Sequence, residues 1–132
     1  MKLVRAIALT ALGFLSVTSV VGAIPMIVNP HGKPWQMPQS FLVHSPFNSF
    51  LIPGIILLLA NGVLSLFVLV ETVRRRNGYG WWVALQGCVL CGWIGVEVAI
   101  LRMAIWPHYF YGAIGLALIV AGCALARACR VA

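Results

Sequence analysis

The chain has 132 residues, 62% of them hydrophobic and 8% charged, with a mean hydropathy of +1.02. A soluble domain carries about 25% charged residues, so a water-soluble fold is excluded. The formal charge of +7 comes from basic residues at the ends of apolar runs, not from a stripe on a polar face, and this excludes nucleic acid as an expected partner.

An apolar run of about 20 residues crosses the ~30 Å hydrocarbon core of a bilayer. Four such runs fit in this length. The expected fold is an all-α membrane protein, a single domain forming a four-helix bundle, with helices over about residues 3–28, 49–73, 81–103 and 109–127. Cys88, Cys91, Cys123 and Cys129 all lie in or at the edge of these runs, which does not suit a secreted disulfide framework.

Lys2 and Arg5 precede the first run, which is uncharged as far as Asn29. It is read as a retained helix, with Val21-Gly22-Ala23 leaving cleavage as a signal peptide the alternative. Residues 29–48 follow as a polar loop in which Pro30, Pro34, Pro38 and Pro46 forbid a long helix, while Trp35, Met37, Phe41, Leu42 and Val43 favour a position on the bundle or at the membrane interface. The second run opens at Asn48-Ser49, residues suited to capping, with Pro53 in its first turn. Asn61 and Ser65, four apart, share a face that also carries Gly54. Arg74-Arg75-Arg76-Asn77-Gly78-Tyr79-Gly80 forms a basic turn, with Glu71 as its charge partner. Residues 102–108 turn into the fourth run, where Gly112, Gly115 and Gly122 suit close helix packing.

Placing both termini and the arginine turn on one side puts Lys2, Arg5, Arg74, Arg75, Arg76, Arg127 and Arg130 there, against Lys33 and Arg102 opposite. Positive charge collects in cytoplasmic segments. Both termini are therefore expected in the cytoplasm, and the proline-rich loop outside.

Glu97 is the one acid placed inside an apolar run. A charge at mid-bilayer costs roughly 2.5–3.5 kcal/mol on insertion scales, so such a residue normally turns toward protein or water and takes a partner. Gln86, eleven residues earlier, falls on nearly the same face, and Trp93 lies between them. Together with Asn61 and the loop and turn residues His44, Arg102 and His108, they make a candidate ligand pocket or proton relay near the outer surface. The structural alternative is a Glu97 carboxyl held by a helix end or by Arg102, serving only to fix the packing.

Cys88 and Cys91 form a CxxC inside the third run. Dithiol redox chemistry would need thiolate formation and an electron partner such as a quinone, and no base stands beside the pair. Two small apolar residues are the simpler reading. The spacings of His31, His44 and His108 match no metal motif, so no metal is expected, and the residues name no cofactor.

Asn29-Pro30-His31-Gly32, Met37-Pro38, Ser45-Pro46-Phe47, Phe50-Leu51-Ile52-Pro53-Gly54 and Asn61-Gly62 together form a pattern. It resembles one that recurs in small bacterial four-span membrane proteins of unknown function. The resemblance implies a four-helix bundle in a bacterial inner membrane, and it carries no activity. Three functions follow as expectations. The first is a non-enzymatic accessory or assembly subunit, whose glycine-bearing helices pack on membrane lipid, on a partner membrane protein or on further copies of the chain. The second is a binder or carrier of a small or lipidic ligand around Glu97. The third is a small membrane enzyme, using acid–base chemistry on a lipid or redox through Cys88 and Cys91.

Overall fold

A computed structural model describes residues 2–28, 51–101 and 106–131. The expected loop over 29–48, with His31, His44 and Trp35, lies outside the described residues, as do Asn48, Ser49 and Arg102.

The described residues form helices and one turn. Helix α1 spans Lys2–Val28. The second long helix is continuous but composite: α2 (Leu51–Leu57), a π-helical segment (Leu58–Val63) and α3 (Leu64–Val73). Helix α4 spans Tyr79–Leu101 and α5 spans Trp106–Val131. Four helices are long and apolar enough to cross a membrane, over Lys2–Ile24, Leu51–Val73, Tyr79–Ala99 and Trp106–Ala128.

The core follows helical periodicity. On α1, Ala8, Leu12, Leu15, Ser19 and Ala23 are buried, at steps of four, three, four and four that keep them on one face. Ala8, Leu12 and Leu15 meet Val68 of α3, Val83 and Leu90 of α4, and Leu118 and Leu125 of α5 in a single cluster. The surface is also apolar. Val17, Val21, Leu59, Leu66, Leu116 and Val120 are all more than half exposed, a pattern that water would penalise over so large a contiguous area.

Helices α4 and α5 form the most extensive pair in the bundle. Small residues allow it. A Cβ added at Gly87 would lie 2.6 Å from the Gly115 carbonyl oxygen, and one at Gly115 would lie 2.6 Å from Cys91 Sγ. One at Gly122 would overlap the Ala84 backbone, and one at Gly80 the Ala126 backbone. The contact line is therefore Gly80, Ala84, Gly87 and Cys91 against Gly115, Gly122 and Ala126. Gly112, expected on the same line, is elsewhere: a Cβ there meets no described atom within 4 Å.

The turn between α3 and α4 closes with a Schellman arrangement. Arg76 N–H donates to the Glu71 carbonyl at 3.1 Å and Arg75 N–H to the Thr72 carbonyl at 3.2 Å. This geometry needs a left-handed residue, and Arg75 supplies it at φ 53°, with Gly78 at φ 82° further along. Gly80 is needed for helix contact, not for the turn. Arg5 reaches across from α1, its guanidinium donating to the last carbonyls of α3, Thr72 at 3.2 Å and Val73 at 3.1 Å. The Arg5 contact and the Gly80–Ala126 contact place Lys2, Arg5, Arg74, Arg75, Arg76 and Arg127 at one end of the bundle. Glu71, partly buried, pairs with the exposed Arg76 at 3.7 Å, a surface ion pair worth about 0–1 kcal/mol.

Two helix starts differ from expectation. Helix α4 begins at Tyr79, two residues early, and α5 begins at Trp106, so that Trp106, Pro107 and His108 form a first helical turn in place of a connecting turn. Proline suits that place, because its ring sets a helical φ and a first-turn N–H has no helical acceptor to lose. His108 is thereby fixed on a helix and buried.

Candidate functional site

The site begins with the π-helical segment. A π turn widens the backbone ring and disturbs the regular hydrogen bonding around it, and such turns recur at functional positions. Here the carbonyls of Ala60, Asn61 and Gly62 all receive side-chain donors. Gln86 Nε2 of α4 donates to the Ala60 carbonyl at 3.3 Å. Ser65 Oγ donates to the Asn61 and Gly62 carbonyls, and Ser16 Oγ of α1 lies 3.5 Å from the latter. Three helices thus hold the segment in place.

Within it, Asn61 is fully buried. Its Oδ1 accepts from Gln86 Nε2 at 3.4 Å. Among the described residues, Asn61 Nδ2 and Gln86 Oε1 are the buried side-chain atoms without a hydrogen-bond partner. The orientation of both amides follows from this network: turning Gln86 would set its oxygen against the Ala60 carbonyl, and turning Asn61 would set two NH2 groups face to face.

Three helical turns along α4 from Gln86 stands Glu97, about 16 Å away at 1.5 Å per residue. His108 Nε2 of α5 is 3.0 Å from Glu97 Oε2, and the histidine side chain is only 5% exposed. The carboxyl is thereby fixed between two helices. The Trp93 indole stands one turn before Glu97 on the same face of α4 and lines the same cavity.

Gln86, Leu90, Trp93 and Glu97 follow one another at steps of four, three and four, so the expected stripe on α4 exists. Its last three members line a cavity of about 250 Å³. Asn61 and Leu57 of the composite helix close one side, Leu15, Thr18, Ser19 and Gly22 of α1 another, and Pro107, His108 and Tyr111 of α5 a third. Gln86 supports the cavity from behind through Asn61.

Of the residues singled out in the sequence, Glu97, Trp93, Asn61 and His108 come together here, and Gln86 joins them indirectly. His44 and Arg102 lie outside the described residues. Cys88 is exposed, while Cys91 packs against Gly115, and both are free thiols. Among the described residues no group of three metal-binding side chains occurs. Thr18, Ser19 and Tyr111 are cavity residues that the sequence reading did not include. Ser19 carried a signal, because it continues the Ala8, Leu12, Leu15 face of α1. Tyr111 carried none until the start of α5 was known.

Comparison of the chain with protein-family models, with curated proteins and with solved structures gives no match.

Proposed function

We propose that the chain is a multi-pass protein of a bacterial inner membrane, with both termini in the cytoplasm, and that it binds or carries a small ligand in the cavity between Asn61 and the Glu97–His108 pair. One observation carries the reading. Polar side chains from separate helices, Asn61, Glu97 and His108, converge on a cavity whose remaining wall is largely apolar and aromatic, which is the usual composition of a small-molecule site. A carboxyl that only fixed helix packing would need His108 but no cavity. The collection of Lys2, Arg5, Arg74, Arg75, Arg76 and Arg127 at the opposite end supports the orientation, because that end is the one positive charge would hold in the cytoplasm.

Native mass spectrometry of the protein, gently extracted from its own membrane, tests the proposal. The expected result is a discrete bound molecule on the wild type that is lost or strongly reduced in Glu97→Gln. A bare chain, or the same adduct on both proteins, overturns it.

A second reading is favoured by a different observation. The face of α5 that carries Tyr109, Ala113, Leu116 and Val120 is exposed, and a Cβ at Gly112 meets no described atom within 4 Å. This face suits an accessory or assembly subunit that docks on a partner membrane protein or a further copy of the chain. Its support is narrower than the sequence suggested, since Gly115 and Gly122 are already covered by α4.

A further inference from the structure

Glu97 and His108 differ in their access to the cavity. Both side chains line it, but the histidine is 5% exposed and the glutamate 33%, so the carboxyl is the member an occupant meets. His108 approaches Oε2 alone, and a carboxylate has about four acceptor positions over its two oxygens. The carboxyl therefore keeps capacity for a second partner. In its neutral form His108 donates Nε2–H to Oε2 and leaves the carboxylate its negative charge.

The same contact sets what lies beneath. Helices α4 and α5 are antiparallel, with Gly80 against Ala126 and Glu97 against His108 at the other end. One turn deeper from Glu97 is Trp93, and one turn deeper from His108 is Tyr111, each on the same helix face as the residue above it. At 1.5 Å per residue these levels are about 6 and 4.5 Å below the pair. Both side chains line the cavity, and Tyr111 is held by Phe14, stacked on it at 6.0 Å, and by Phe110 at 5.4 Å. A cationic head in contact with the acid thus comes within the roughly 6 Å of a ring centroid over which a cation is attracted to an aromatic ring.

Charge narrows the class of occupant. Among the described lining residues there is no Lys or Arg to balance an anion, and Glu97 would repel one. An uncharged apolar occupant strips water from the carboxylate and supplies nothing in its place, which is costly for a charge away from water. An inorganic cation needs several oxygen ligands, and no group of three metal-binding side chains occurs among the described residues. A weakly hydrated organic cation suits the acid and the rings together. The volume of about 250 Å³ is below the roughly 300–1,000 Å³ typical of drug-sized pockets, so the head is compact, with Leu57, Leu90 and Ile94 offering contact to its apolar part.

Resting on the binding reading above, we infer that the occupant is a lipophilic organic monocation, an alkylated ammonium being the simplest member of the class, with its charge held between the Glu97 carboxylate and the rings of Trp93 and Tyr111. His108 positions the carboxyl from behind. The buried Asn61–Gln86 pair, three helical turns away along α4, takes no part in holding the charge.

The test uses three probes that share a benzyl group and differ in the head: a trimethylammonium, its uncharged tert-butyl isostere and a carboxylate. Binding to the full chain in phosphatidylcholine nanodiscs is measured by equilibrium dialysis, with empty nanodiscs subtracted, for the wild type, Glu97→Gln, Trp93→Leu and Thr18→Leu. Thr18 lines the cavity one turn beyond Phe14, the ring stacked on Tyr111, and its hydroxyl bonds only to carbonyls of its own helix, so a leucine there adds bulk at the charged end and leaves the charge unchanged. The expected result is saturable binding of the ammonium probe alone. It should weaken about tenfold or more in Glu97→Gln, roughly two- to thirtyfold in Trp93→Leu as loss of one cation–ring contact predicts, and about fivefold or more in Thr18→Leu. The comparison of heads on the wild type needs no substitution, so it decides even where a variant fails to fold. Saturable, Thr18-sensitive binding of the isostere or the carboxylate at equal or higher affinity overturns the cation assignment and leaves the binding reading standing. Ammonium binding that is unchanged in Glu97→Gln also overturns the assignment. Absence of saturable binding for all three probes overturns it as well, and the native adduct sought by mass spectrometry then decides the binding reading separately.

Discussion

His108 Nε2, in the first turn of α5, lies 3.0 Å from Glu97 Oε2, in the last two turns of α4, and so ties together the helices on either side of the 102–105 connection. The strength of that tie can be measured. Replacing Glu97 by Leu leaves His108, 5% exposed, without its carboxyl partner, and should destabilise the fold by about 1–3 kcal/mol. Replacing Glu97 by Gln retains an acceptor and should cost less. In a double-mutant cycle with His108→Leu, read by detergent-induced unfolding, the two changes should couple by at least about 0.5 kcal/mol. Strict additivity would show that the contact contributes nothing.

The α4–α5 contact predicts a contrast between two glycines of one helix. Gly122→Val should destabilise by about 1–3 kcal/mol, at the upper end because the neighbour that must move is the Ala84 backbone and not a flexible side-chain tip. Gly112→Val should fall within about 0.5 kcal/mol of wild type, as a change at an uncrowded position does. Equal losses would mean that Gly112 is also packed.

Gln86→Leu removes the donor to the Ala60 carbonyl and to Asn61 Oδ1. Hydrogen bonds between helices in membrane proteins average about 0.6 kcal/mol and reach about 1.7, so a loss near 1 kcal/mol is expected. The same variant should speed amide exchange at residues 60–65, read by hydrogen-exchange mass spectrometry, if Gln86 holds the π-helical segment. Unchanged exchange would assign that role to Ser16 and Ser65.

Arg75 sits at φ 53°, a conformation that disfavours a side chain by roughly 1–2 kcal/mol. Arg75→Gly should therefore raise stability, by up to about 1 kcal/mol after the greater freedom of glycine in the unfolded chain is counted. Arg75→Val should lower it. Unfolding midpoints of the pair decide, and a loss in both would mean that the arginine side chain makes a contact outweighing the backbone strain.

The parts of this architecture legible in the sequence are those that depend on sums along the chain. Hydropathy accumulates over twenty residues, so four helices stand out whatever their neighbours do. The stripe of Gln86, Trp93 and Glu97 is likewise a matter of period within one helix. The rotational setting of a helix against its neighbour is different, because it depends on both surfaces. Gly112, Gly115 and Gly122 look alike in sequence, yet α4 covers only the last two. The partner glycines Gly80 and Gly87 were read as a flexible turn residue and as nothing at all. His108 was assigned to a turn because proline marks either a break or a beginning, and only the helix starting at Trp106 brings the imidazole to Glu97. The π-helical segment has no compositional signature, so the orphan amide of Asn61 could not be anticipated.

The π-helical segment also affects bookkeeping of register along the composite helix. A single-residue expansion offsets everything before it from everything after it by about 100°, the angle one residue subtends in an α-helix. Pro53, Gly54 and Leu57 therefore face directions that Ser65, Val68 and Thr72 would not dictate if the helix were uniform. Deleting one residue between Leu58 and Val63 would let the helix run as regular α throughout, at no loss of hydropathy, and would swing Leu57 away from the cavity while leaving the buried face of α3 where it is. The segment is in this sense a joint that lets one apolar helix serve two differently oriented surfaces, one for packing and one for the cavity wall.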